Sequence, residues 1–340
     1  MVIRHAAGAD DLRRLWDECF PVERDWAALY MRERYSPERV LVVEENGELA
    51  GMVHFNPSSL DYHGSSVAVM HMFGLGISPD LRGRGYAREL VRHLCGLAAE
   101  KGIPMLAVSP YSDDLRGFYR RLGFGDAFSV SRENYGRDEL GELSETVGPV
   151  TPDGAFKANT MYEKVLRHRC HLHRSAADWR FLTLAAEITG GRMLCVRRDG
   201  ELCGYAVYMK RDGEVTVREV FAEDEVAYNA LRAGVLEDAG VDSAKIESPA
   251  CAHSAKKGAM LRPVDASALF ALAAGYRPLE GEMTVELEDP LLPECSGRYT
   301  VRASDVSKGD RSGSVFITPG QLVETVMSAG PAPYANLLFC

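Results

Sequence analysis

Laid over one another, the segments 40–55 (VLVVEENGELAGMVHF) and 193–208 (MLCVRRDGELCGYAVY) agree at Leu41/Leu194, Val43/Val196, Gly47/Gly200, Glu48/Glu201, Leu49/Leu202 and Gly51/Gly204. No other feature of the sequence constrains its fold as strongly. Each copy is an apolar run, a turn at Asn46-Gly47 or Asp199-Gly200, and a second apolar run, the short-range signature of a β-hairpin. Two copies imply two related domains. The flanking patterns agree: around the first copy come a strand at 2–4, a helix at about 10–19, the hairpin, a strand near 67–77, a helix over about 85–101, a strand at 105–109 and a helix near 115–122. Around the second come a helix containing 179–188, the hairpin, a strand at 215–221 and a helix near 226–239.

The order of elements gives an α/β (α+β) fold class. From about Ala259 the pattern changes to a strand and helix (MLRPVDASALFALAAG), short strands at 282–288, 298–302 and 314–318, and a last helix at 320–327, enough for a small α+β domain. The expected domains are therefore 1–145, 146–258 and 259–340. Composition adds exclusions. No window approaches about 18 consecutive apolar residues, and the opening MVIRHAAGADD reaches acidic residues before any apolar stretch, so neither a membrane span nor a signal peptide is expected and a cytoplasmic location is. The eight cysteines are scattered without a CxxC pair, which suits reduced thiols. A formal charge of -10 argues against a nucleic-acid partner and mildly favours a cationic substrate.

The chemistry concentrates where a strand runs through Ile77-Ser78-Pro79-Asp80-Leu81-Arg82-Gly83-Arg84-Gly85-Tyr86-Ala87-Arg88 into a helix. Glycines 83 and 85 let consecutive N–H groups face a ligand, the helix start adds partial positive charge, and Arg82 and Arg84 reinforce it: a nest for a pyrophosphate. The matching junction of the second copy, Val220-Phe221-Ala222-Glu223-Asp224-Glu225, has no glycine and sets three carboxylates where phosphate would sit. One active site per chain follows.

Arg82, Gly85 and Ala87 match the acyl-CoA loop of the GNAT superfamily (Arg or Gln, two residues, Gly, one residue, Gly or Ala), and Phe118-Tyr119-Arg120-Arg121-Leu122-Gly123-Phe124 resembles its FYRKxGF segment. The resemblance implies acetyl-CoA as cosubstrate. It assigns cofactor contacts to Leu75, Gly76, Ile77, Arg82, Gly83, Arg84, Gly85, Tyr86, Ala87, Arg88 and Ser109, a backbone N–H near Leu75 to the thioester oxygen, and Tyr119 to protonation of the departing thiolate, a role suited to a phenol of ordinary pKa about 10. The whole chain resembles one branch, the enhanced intracellular survival (Eis) type: tandem GNAT domains, the second degenerate, and a sterol-carrier-like C-terminal domain. The stretch MLRPVD at 260–265 and the ending Pro333-Tyr334-Ala335-Asn336-Leu337-Leu338-Phe339 carry that likeness. In such enzymes the terminal carboxylate acts as general base. The implied activity is N-acetylation of a primary amine, aminoglycoside-, polyamine- or lysine-like. Homo-oligomers are common among these relatives, so an assembly is compatible with the resemblance. The competing reading is a non-catalytic acyl-CoA or lipid-binding protein.

One departure bears on the base. The chain continues to Cys340, and an extra residue shifts a carboxylate by roughly 3.5 Å. A carboxylate near pKa 3.5 and an ammonium near 10.4 leave direct transfer uphill by about 9 kcal/mol. Either burial raises the carboxylate, or the amine arrives neutral, or the Cys340 thiolate is the base. The run His168-Arg169-Cys170-His171-Leu172-His173 also stands out, but Arg167, Arg169 and Arg174 oppose a cation and no second ligand pair lies nearby in sequence, so no metal is expected. His54, His71, Trp26 and Tyr30 are either core residues or walls of an acceptor pocket.

Overall fold

The computed structural model describes residues 1–21, 23–140, 145–250, 255–303, 305–309 and 315–335. Its first stretch runs β1 (Val2–His5), α1 (Ala9–Cys19), α2 (Arg24–Glu33), β2 (Val40–Glu45), β3 (Glu48–Tyr62), β4 (Ser65–Ile77), α3 (Tyr86–Glu100), β5 (Met105–Val108), α4 (Asp113–Arg121) and β6 (Gly125–Asp126). The strands β1 to β5 lie side by side in chain order, antiparallel until β4 meets β5 in parallel. Helix α3 turns Leu90, Val91, Leu94 and Ala98 inward, at the i, i+1, i+4, i+8 spacing of an apolar face, against Val53, Phe55 and Met72 of the sheet.

The chain then changes sheet at Phe128/Ser129, ahead of the boundary drawn at 145 from sequence. Here lie β7 (Ser129–Gly136), β8 (Val147–Pro149), α5 (Asn159–Leu166), β9 (His171–Leu172), α6 (Ala176–Ile188), β10 (Arg192–Arg198), β11 (Glu201–Arg211), β12 (Glu214–Ala222), α7 (Glu225–Ala239), β13 (Ser243–Pro249) and β14 (Ala255–Lys257). Their sheet has the order β14-β7-β13-β12-β11-β10-β8. The repeat seen in the sequence reappears as geometry. Asn46 and Gly47 turn with φ of 54° and 86°, Asp199 and Gly200 with 51° and 86°, the paired positive values of a type I′ hairpin. Both hairpins slip register just beyond the Val43–Gly51 and Val196–Gly204 pairs.

The last stretch holds β15 (Met260–Pro263), α8 (Ala266–Tyr276), β16 (Glu282–Leu287), β17 (Gly297–Arg302), β18 (Asp305–Gly309), β19 (Val315–Ile317) and α9 (Pro319–Met327). Four of its strands form a third sheet, β18-β17-β16-β19. The fifth, β15, lies instead between β5 and β6 of the first sheet, pairing Leu261 with Ala107 on one side and Gly125 on the other. Residues 1–128 and 258–333 thus make one compact unit, and residues 129–257 with Tyr334 make a second.

Inside the first unit, Arg262 on β15 is fully buried and bonds both oxygens of buried Asp289 at 2.8 Å. Its Nε donates to Leu122 O at 2.7 Å, and Asp289 Oδ1 accepts the N–H groups of Leu291 and Leu292 at 3.0 Å. The six cysteines among the described residues are all free. No helix among those residues is long and apolar enough to cross a membrane.

Candidate active site

Strand β4 pairs with β5 only from Val69/Met105 to His71/Ala107, and then continues to Ile77 while β5 ends at Val108. Beyond this point β4 carries one extra residue against β3: Met52 faces Gly76 and His54 faces Phe73, so Gly74 and Leu75 fall outside the one-to-one register. Gly74 makes the bulge feasible, with φ of 56° and a position where a Cβ would stand 2.8 Å from the Trp16 ring. Leu75 and Ile77 are half-buried on this diverging segment, and Ser109 is half-buried just past the end of β5.

Beyond β4, Pro79–Leu81 form one 3-10 turn, and Arg82 to Gly85 lie exposed ahead of α3. Gly85 is the N-cap of α3, left-handed at φ 85°, with no side-chain cap on the helix N–H groups. The start of α3 is therefore open to an anion. Arg82 Nε bonds Ile77 O at 3.2 Å, Arg84 Nη1 bonds Glu45 Oε2 at 3.0 Å, and Arg88 Nη2 bonds Pro290 O at 2.5 Å. Tyr86 is largely buried with its ring in the core, and its phenol is raised by a hydrogen bond to Glu45, so its contribution to an anion site is its backbone N–H. Burial pushes the Cys19 thiol, hydrogen-bonded to Arg82, up to about 11, so it adds no negative charge here.

The equivalent helix of the second unit is closed. Asp224 is the N-cap of α7, and its own carboxylate accepts the Ala227 N–H at 2.8 Å while Arg198 grips it at 2.6 and 3.0 Å. Those bonds hold the Asp224 carboxyl down at about 2. A side-chain anion thus occupies the position that an exogenous anion would take at α3.

Tyr119 lies in the last turn of α4, a helix capped by Ser112 Oγ on Leu115 N at 3.3 Å. Its ring is largely buried between Phe118 and Phe124, with centroids 5.2 and 5.4 Å away. The proposed terminal base, Cys340, lies outside the described residues.

A feature only partly visible in the sequence adjoins the bulge. Trp16, Trp26, Tyr30, His54 and Phe73 pack ring to ring, with His54 set 5.1 Å from Trp16 and 5.2 Å from Tyr30 in edge-to-face contacts. Trp16 Nε1, Tyr30 Oη and both His54 nitrogens are buried, with no hydrogen-bond partner among the described residues. Helix α2 was not expected from sequence, and Trp16 carried no signal beyond an ordinary amphipathic helix. Burial raises the Tyr30 phenol and lowers His54 to about 3. The imidazole is neutral at physiological pH and is a poor general base.

A stability consequence follows. Between about 3 and the ordinary 6.5 the unfolded chain binds the His54 proton and the folded chain does not, so this contribution is complete above pH 6.5 and declines as pH falls. By pH 5 the loss is about 2 kcal/mol. Denaturant midpoints at pH 7 and pH 5 are expected to fall further apart in the natural protein than in His54→Phe, which keeps the ring packing; equal slopes would assign the acid sensitivity elsewhere.

A family model described as an acetyltransferase (GNAT) domain matches residues 5–127. An acetyltransferase of Yersinia pestis (strain Pestoides F) is 31% identical over 116 residues, 32% of this chain and 76% of the relative. One from Pectobacterium atrosepticum is 32% identical over the same length and the same shares. A GCN5-related N-acetyltransferase structure from Anabaena variabilis superposes with a TM-score of 0.76 at 20% identity, over 96% of this chain and 90% of that one. Eis1 from Mycobacterium abscessus does so with a TM-score of 0.74 at 19% identity, over 99% of each chain. The sequence relatives bear on the first unit, and the two structures show that the fold is shared along nearly the whole chain.

Proposed function

We propose that this chain, which belongs to the GNAT acetyltransferase family, moves an acetyl group from acetyl-CoA to a primary amine of an aminoglycoside, polyamine or lysine-like acceptor. The observation that carries the siting of this reaction is the pairing of a splayed β4 with an uncapped α3, against a self-capped α7 in the second copy. The domain drawn at 1–145, whose folded unit ends at Phe128, is read as catalytic, 146–258, with β7 joining its sheet, as degenerate, and 259–340 as sterol-carrier-like.

Bound acetyl-CoA supplies the activated acyl group. Backbone N–H groups of Gly83 and of Gly85 to Arg88 hold its diphosphate, with Arg82 and Arg84 neutralising charge. Arg84 is shared with Glu45 in the free protein, so binding draws it from a surface ion pair worth little by itself. The backbone of Leu75, Gly76 and Ile77 takes the place of a missing neighbour strand for the pantetheine amides, and Ser109 faces the same arm from the end of β5. The Leu75 N–H, released from register by the bulge, donates to the thioester oxygen as negative charge grows on it. Tyr119 gives a proton to the departing thiolate. The carboxylate of Cys340 takes the amine proton. The aromatic group around Trp26 and Tyr30 lines the acceptor side as an apolar wall.

The reading is tested by thiol release from acetyl-CoA with polyamines, aminoglycosides and lysine peptides, using the intact chain and one lacking Cys340. Amine-dependent release is expected, and a large loss on deletion assigns the base to residue 340, whereas retained activity gives it to Phe339. Acetyl-CoA binding without turnover on any amine contradicts the transferase assignment in favour of a binding protein.

A further inference from the structure

We propose that Glu163, His171 and His173 of the second unit form a binding site for a zinc-class divalent cation. The three ligand atoms, one from each side chain, lie within 4.8 Å of one another. His171 Nε2 stands 2.9 Å from Glu163 Oε2, and His173 Nδ1 stands 3.0 Å from Glu163 Oε1. His171 lies on β9 and His173 just past its end, with ring centroids 5.3 Å apart, and α5 brings Glu163 across from eight residues upstream of His171.

The hydrogen-bond geometry of His171 is that of a ligand. His171 Nδ1 lies 2.8 Å from Arg169 O, which can only accept, so Nδ1 carries a hydrogen. That leaves Nε2, on a side chain that is 1% exposed, as the ring atom facing the Glu163 carboxylate at 2.9 Å, two ligand atoms aimed at one point. An imidazole whose Nδ1–H is tied to a main-chain carbonyl, with Nε2 presented outward, is the arrangement of a metal ligand with its outer support already in place. Zinc bonds of about 2.0–2.2 Å in a tetrahedron put ligand atoms about 3.3 Å apart; the two histidine–carboxylate spacings, which run to different oxygens of Glu163, lie a few tenths of an ångström below this, and the widest separation, within 4.8 Å, closes toward it on binding. Glu163 and His173 are each about one-third exposed, which leaves solvent as the fourth ligand.

The sequence argued against a metal here because three arginines interleave with the histidines. In the structure each has a partner of its own. Arg174 bonds both oxygens of buried Glu219 at 2.6 and 2.8 Å and lies over the Tyr162 ring, Arg169 donates to Ala250 O at 3.1 Å, and Arg167 donates to His168 Nε2 at 2.9 Å. The site also has a structural task. His171 makes a parallel bridge with Tyr334, whose N–H donates to Cys170 O at 2.9 Å and whose hydroxyl donates to Glu219 at 3.0 Å. A cation joining α5 to β9 would stiffen the seat of the last described segment of the chain.

The test is calorimetric titration of zinc chloride into the chelator-stripped full chain, with melting temperature followed in parallel. One saturable equivalent and a rise in Tm are expected. Glu163→Gln and His173→Asn should each weaken binding by about 100-fold and abolish the Tm response. A cobalt-loaded sample should show the visible absorption of a tetrahedral ion, again lost in both variants. Failure of the stripped protein to take up zinc, or uptake and a Tm rise unchanged in both variants, overturns the proposal; the latter would place the ion on thiols. Should Glu163→Gln not fold, His173→Asn, altered at a part-exposed side chain, decides alone.

Discussion

Replacing Tyr119 with phenylalanine is expected to lower kcat by about 100-fold or more at pH 7 while leaving the KM for acetyl-CoA within a few-fold of its natural value. The phenol is assigned the proton that the departing thiolate needs, and nothing in the diphosphate cradle depends on it. The ring packs against Phe118 and Phe124 and stays in place in the variant. Loss of the hydroxyl costs the fold about 0.5–1.5 kcal/mol at most, so the protein remains folded and the rate loss is chemical. A pH profile separates a proton donor from a merely structural residue. A thiol of ordinary pKa about 8.5 leaves readily as thiolate above pH 9, so the gap between natural protein and variant should narrow there. A variant with full kcat at pH 7, or a deficit that does not change with pH, would remove Tyr119 from the chemistry.

Asp289→Ala is the stability counterpart, and it should cost about 3–5 kcal/mol because it strands the Arg262 guanidinium inside the first unit. The denaturation midpoint is the measurement. Asp289 also accepts two backbone N–H groups, so Asp289→Asn, which keeps acceptors for Leu291 and Leu292 but not the charge, should fall between the natural protein and the alanine variant. The damage is expected to reach activity as well. Arg262 holds Leu122 O at the end of α4, and β15 sits beside β5, so loosening this strand disturbs both Tyr119 and Ser109. Equal stability of all three proteins would mean that the buried pair does not organise the strand.

The tandem fold and the glycine-rich turn ahead of α3 could be read from the sequence because both are local. A hairpin is fixed by two turn residues and alternating burial, and an anion nest by glycines at a strand-to-helix junction; Asn46-Gly47, Asp199-Gly200 and Gly83 to Gly85 supplied these signals directly. Closing of the second site was also legible in outline, as three acidic residues, although its means, Asp224 capping α7 under the grip of Arg198, required the fold. What the sequence hid is non-local. The run 260–263 reads as the start of a new domain, and only long-range pairing shows it completing a sheet laid down more than a hundred residues earlier. Glu163 is an unremarked helical residue until α5 faces the two histidines. The glycines at 74 and 76 signalled the bulge, but the aromatic group beside it depends on how α1 and α2 cross the sheet.

The central claim, that one site per chain binds the donor at the start of α3, is tested most directly by calorimetric titration of acetyl-CoA into the natural chain and into Gly85→Val. A β-branched side chain at a left-handed position forces the backbone to shift by about 1–3 kcal/mol of strain, and the open helix start loses its form. One equivalent bound by the natural chain, weakened about 10-fold or more in the folded variant, is the predicted result; two equivalents, or binding indifferent to Gly85→Val, would contradict the account.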